Sequence, residues 1–115
     1  MKSYNGIKVR DTIFWCEDSG EDNLPTLLCL HSLFLDGRMF DELAAAAKGR
    51  MRVVCPDFRG QGRSAPALKA IVTMDECADD ILALIDQLGL HEVHVLGASM
   101  GGDVAIRMAA RKPAL

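Results

Sequence analysis

Residues 95–102 read VLGASMGG. An apolar run ends at Gly97, and from Ser99 to Arg111 the spacing turns helical. Val104, Ala105, Met108 and Ala109 fall on one inward face, with Pro113 beyond the end. The stretch therefore reads as strand, tight turn, helix. Gly97, Ser99 and Gly101 fit G-x-S-x-G, a turn in which small residues leave room around a serine in a strained backbone conformation. The Ser99 hydroxyl would stand above a sheet, at a helix N-terminus that favours developing negative charge. The N–H of Met100 would point to the same place. The plain alternative is a strand-helix turn with Ser99 as an ordinary N-cap.

Upstream, the same alternation recurs. Residues 7–17, IKVRDTIFWCE, read as one long strand or as a hairpin bent at Asp11-Thr12. Residues 18–25 form a turn-rich loop. TLLCLHS then suits a strand buried on both faces. Residues 36–48 read as a helix with Asp36 as N-cap, an apolar face of Phe40, Leu43, Ala44 and Ala47, and Gly49 as its stop. Residues 50–57 are a second short buried strand, and 58–67 a loop rich in glycine and proline. Thr73 and Glu76 make a capping box for a helix whose Ala78, Ile81, Leu82, Ile85 and Leu88 share a face, closed by Gly89. Residues 91–97 are a third strand. The sum is an α/β fold, a mostly parallel sheet with flanking helices.

The chain has 115 residues, enough for one small domain. Half are hydrophobic and a quarter charged, an ordinary globular balance. The net charge of −3 gives no basic footprint, which argues against nucleic acid as a partner. No apolar run reaches the roughly 18 residues of a membrane span. The first residues have no apolar signal region, so a cytoplasmic location and no membrane partner are expected. Cys16, Cys29, Cys55 and Cys77 show no metal or disulfide spacing and read as reduced and mostly buried. His91 and His94 lie three apart at the start of a strand and so point to opposite faces; no metal and no cofactor is expected.

In parallel sheets, sites form beyond the carboxyl ends of the strands. Three loops leave those ends, at 31–37, 57–64 and 98–102. They carry His31-Ser32-Leu33, DFRGQGRS and GASMGG. Taken together, in this order and spacing, they resemble the α/β-hydrolase fold family over residues 6–112, most closely its esterases, enol-lactonases and carbon–carbon bond hydrolases. The resemblance implies Ser99 as nucleophile. It implies the backbone N–H groups of Leu33 and Met100 as the oxyanion hole, with His31 supporting the first of these loops. Gly97 and Gly101 would shape the elbow. Asp57 and Arg59 match the D-x-R-G-x-G-x-S turn, whose role is to hold its loop. Ser32 departs from the family, which usually has glycine after the histidine.

The larger departure is at the end. The family order is Ser, then Asp or Glu, then His, and little chain follows Ser99. The sequence thus reads as a partial α/β-hydrolase core, 1–115, that lacks the acid, the base, later strands and any lid. By itself it is expected to be inactive or nearly so. The strand at 91–97 would present an open edge, so self-association through that edge is expected. The partner expected at the site is a small-molecule substrate. The alternative is a non-catalytic, truncated or ligand-binding relative. A nucleotide-binding doubly wound domain is disfavoured, because no glycine-rich phosphate loop follows the first buried strand.

Overall fold

The computed structural model describes residues 2–66 and 71–113. The first two strands are β1 (Lys2–Val9) and β2 (Thr12–Asp18), an antiparallel hairpin. The bend falls at Arg10-Asp11, one residue earlier than the sequence suggests, with Arg10 at φ 53°. The two-residue connection demands a left-handed residue there to follow the strand twist. Along β2, Thr12, Phe14, Cys16 and Asp18 face inward in strict alternation.

The three buried runs become β3 (Thr26–Leu30), β4 (Arg52–Pro56) and β5 (Val93–Gly97). The sheet order is β1-β2-β4-β3-β5. β3 pairs in parallel with both β4 and β5, while β2 joins β4 antiparallel. Among the described residues β5 is an edge strand, with Leu96 41% exposed.

Helices α2 (Met74–Leu88) and α3 (Met100–Arg111) pack on one face over Leu28, Leu30, Val54 and Phe14. The other face, with Cys29, Val53 and Cys55, is covered by Phe40, Ala44 and Ala47. Both faces of β3 and β4 are therefore largely dry, which is why they read as continuous apolar runs, whereas β5 alternates between buried or half-buried and exposed positions. Each Leu fully buried in this way contributes about 1.5–3 kcal/mol.

The expected single helix at 36–48 is a 3₁₀ turn, Gly37–Phe40, followed by the short α1 (Asp41–Ala47). Asp36 caps the 3₁₀ turn, accepting from the Arg38 N–H at 2.9 Å. Phe40 is buried, but Leu43 is 36% exposed, and α1 contributes no buried residue. Small alanines give the segment too little apolar surface to be pulled in further. In α2, Thr73 accepts from the Glu76 N–H at 3.0 Å, and Gly89 closes the helix in the left-handed region at φ 64°. In α3, Val104 and Met108 are buried as expected, whereas Ala109 is exposed. All four cysteines are free and buried. Burial raises the Cys16 thiol and pushes Cys77 up to about 11. No helix of the described residues is long and apolar enough to cross a membrane.

Candidate active site

Because β3, β4 and β5 are parallel, the loops at 31–37, 57–64 and 98–102 emerge at one edge of the sheet. The turn after β5 has the most unusual backbone. Ser99 stands at φ 55°, ψ −110°, in a region that L-residues avoid, and its side chain makes no capping hydrogen bond. It is exposed. The ordinary N-cap alternative is thereby excluded, since an N-cap has extended backbone and bonds the first turn through its side chain. A cost of about 1–3 kcal/mol attaches to such a conformation.

The neighbours enforce it. The Ala98 N–H donates to the Leu30 carbonyl at 3.0 Å, which pins the elbow to the end of β3. A Cβ on Gly97 would collide with the Gly101 carbonyl, and one on Gly101 with the Leu30 carbonyl. Only glycine fits at either position. Gly101 and Gly102 donate to the carbonyls of Ala98 and Ser99 at 2.9 Å each, starting α3 directly behind the serine.

His31 is wholly buried. Its Nδ1 donates to the Ser32 carbonyl at 2.7 Å and its Nε2 accepts from the Phe58 N–H at 2.9 Å. These two bonds assign the neutral tautomer protonated at Nδ1. The ring tilts against Phe58, centroids 4.7 Å apart. Both nitrogens are occupied, so the ring is not placed to take a proton from Ser99. His91 precedes β5 and His94 is its second residue, at the end remote from Ser99.

Ser32, in place of the glycine, is accommodated without left-handed backbone. Its hydroxyl donates to the Ala98 carbonyl at 3.3 Å and so ties this loop to the elbow. The left-handed residue of the loop is Phe34, φ 63°, in a turn closed by the Leu35 N–H on the Ser32 carbonyl at 3.1 Å. Leu33 is half exposed. Among the described residues, neither the Leu33 N–H nor the Met100 N–H meets an acceptor. One of these two donors lies on the loop after β3 and the other in the elbow itself.

Asp57 is buried and joins two of the loops. Its carboxylate accepts from the Gly37 N–H at 2.8 Å, the Arg63 N–H at 2.7 Å and the Arg63 guanidinium at 2.9 and 3.1 Å. Arg63 also lies over the Trp15 ring at 5.0 Å and reaches Glu17 at 2.7 Å. Arg59 points elsewhere, to Asp80 on α2 and Asp11 in the hairpin turn. Asp57 and Arg59 therefore hold their loop from opposite sides and do not touch as partners. Sequence reasoning did not single out Gln61 or Arg63. Both stand in DFRGQGRS, but their roles depend on which loops neighbour it in space. Among the described residues no group of His, Cys, Asp and Glu is arranged to hold a metal ion.

Comparison with known proteins agrees with this geometry. A family model described as alpha/beta hydrolase fold matches residues 25–115. The chain is 39% identical over 88 residues to a 3-hydroxybutyrate-oligomer hydrolase of Cupriavidus necator, covering 76% of this chain and 30% of that protein. It is 34% identical over 88 residues to 3-oxoadipate enol-lactonase 1 of Acinetobacter baylyi, covering 76% and 32%. Its fold superposes on a solved alpha/beta hydrolase of Novosphingobium aromaticivorans with TM-score 0.85 at 29% identity, over 98% of this chain and 40% of that one. The chain spans about a third of the length of the curated relatives it matches. A family match over most of the sequence, on a sheet that lines up nearly end to end with a solved member, means that this chain belongs to the alpha/beta hydrolase fold family.

Proposed function

We propose that Ser99 is the nucleophile of a hydrolase that cleaves an ester, lactone or related acyl–oxygen bond in a small molecule. The observation that carries this reading is the Ser99 backbone. It is an exposed serine, held at φ 55° without a capping bond, between two glycines that nothing else can replace. A serine with only a structural task gains nothing from that conformation. The names of two relatives, one for a 3-hydroxybutyrate oligomer and one for an enol-lactone, support the bond type.

In the proposed reaction the Ser99 Oγ attacks the substrate carbonyl carbon. The carbonyl π pair moves onto oxygen, and the N–H groups of Leu33 and Met100 hold the resulting charge, aided by the N-terminus of α3. Collapse expels the alcohol and leaves an acyl group on Ser99, which water then removes. Loss of one such donor costs on the order of 100-fold in rate. The Ser99 proton needs a base. His31 is fully engaged and the other histidines lie at the far end of β5, so the proposal places the base and its acid outside residues 1–115.

The test is hydrolysis of a chromogenic short-chain ester by the full-length protein and by Ser99→Ala. Wild type should turn over and carry one fluorophosphonate label on Ser99. The variant should take no label and lose at least about 1,000-fold in rate. Equal rates in the two would overturn the reading and favour a ligand-binding relative without turnover.

A further inference from the structure

The candidate donors at Leu33 and Met100 sit on different loops, and one side chain touches both loops. The Gln61 Oε1 accepts from the Phe34 N–H at 3.0 Å, and its Nε2 donates to the Met100 Sδ at 3.5 Å. Phe34 is the left-handed residue of its turn, and its side chain is 86% exposed. No packing of that ring holds the turn in place. The bond to Gln61 fixes the peptide plane between Leu33 and Phe34, the plane next to the Leu33 N–H.

Gln61 is itself firmly presented. It lies between Gly60 and Gly62, both left-handed, at φ 71° and 53°. Its N–H donates to the Phe58 carbonyl at 3.0 Å, and its carbonyl accepts from the Ser64 N–H at 3.1 Å. A primary amide is the side chain that can accept at one end and donate at the other. A carboxylate can only accept, and a thioether cannot make the donating contact.

We propose that Gln61 is a positioning residue that sets the distance between the loop bearing Leu33 and the elbow bearing Met100, and so the width of the oxyanion site. The proposal rests on the reading of Ser99 as nucleophile. Gln61 acts through the two loops and not on the substrate. A transition-state charge is sensitive to donor placement, whereas a bound ester is much less so. Its loss should therefore appear in kcat and spare KM.

The experiment compares wild type, Ser99→Ala, Gln61→Met and Gln61→Glu in the full-length protein. The readouts are p-nitrophenyl acetate kinetics, thermal melting and amide hydrogen exchange at Phe34. Gln61→Met, nearly isosteric, should lower kcat about tenfold with KM and melting temperature little changed, and should speed Phe34 exchange. Gln61→Glu should keep Phe34 protected. It should add a pH limb absent from wild type, with kcat falling as the new carboxylate ionises beside the forming oxyanion. An active wild type with Gln61→Met at the same kcat overturns the Gln61 role alone. So does a loss of kcat that tracks a loss of melting temperature, or unchanged Phe34 exchange. A wild type no faster than Ser99→Ala overturns the nucleophile reading, and this role with it.

Discussion

Arg59 and Asp80 form a two-point ion pair away from water. Nε meets Oδ2 at 2.7 Å and Nη2 meets Oδ1 at 2.8 Å, with the side chains 1% and 0% exposed. Arg10 adds a bond to the same carboxylate at 3.0 Å, and Arg59 also reaches Asp11. The pair thus fastens α2 and the hairpin turn to the loop after β4. Asp80→Ala leaves a buried guanidinium short of its main partner and should cost about 3–5 kcal/mol. Arg59→Met together with Asp80→Leu should cost less than Asp80→Ala alone. Urea midpoints of the three variants decide it, and a double variant worse than the single would contradict the account.

The backbone of Ser99 predicts an opposition between stability and activity. Glycine adopts φ 55° without the Cβ penalty, so Ser99→Gly should stabilise the fold by about 1 kcal/mol. Ser99→Ala, which keeps the Cβ, should not. A rise in melting temperature confined to the glycine variant is the expected result.

Two adjacent glycines should respond in opposite directions. Gly101→Ala drives a methyl group into the Leu30 carbonyl, a backbone atom that cannot swing away. It should cost about 1–3 kcal/mol or more. At Gly102 the new Cβ would lie 3.4 Å from the Gly97 carbonyl oxygen, within reach of a small adjustment. Helix propensity then favours alanine by up to about 1 kcal/mol, so Gly102→Ala should be neutral or mildly stabilising. Denaturant titrations of both variants test the contrast.

Asp36 gives a pH signature. The Arg38 side chain, bonded to its carboxylate, holds Asp36 down at about 2. A carboxyl depressed in the fold contributes stability above its ordinary value of 3.8 and loses it as pH falls through about 2. Asp36→Asn keeps the capping oxygen for the Arg38 N–H and removes the charge. The stability gap between wild type and this variant should be flat above pH 4 and close between about pH 4 and 2. A gap that widens on acidification would reverse the sign and refute the assignment.

The elements were legible where local chemistry decides them. Thr73 and Gly89 bracket α2, and the apolar runs at β3, β4 and β5 need no partner to be recognised. The elbow was legible for the same reason, because Gly97 and Gly101 answer to contacts within a few residues and to β3. The segment at 36–48 was not, since Gly37 at its start is tied to Asp57 and held close against Cys55, contacts from another strand that the local pattern does not announce. Strand order was also hidden, because β4 is inserted between β2 and β3 against chain order. That order decides that Gln61 comes between Phe34 and Met100. Residue types alone do not carry such neighbourhoods.

The side of β5 that pairs with no strand among the described residues has a geometric corollary. A strand added there in parallel would run with its carboxyl end toward Gly97, so its following loop would open directly onto Ser99. Whatever pairs with that edge would therefore also be placed to reach the Ser99 hydroxyl.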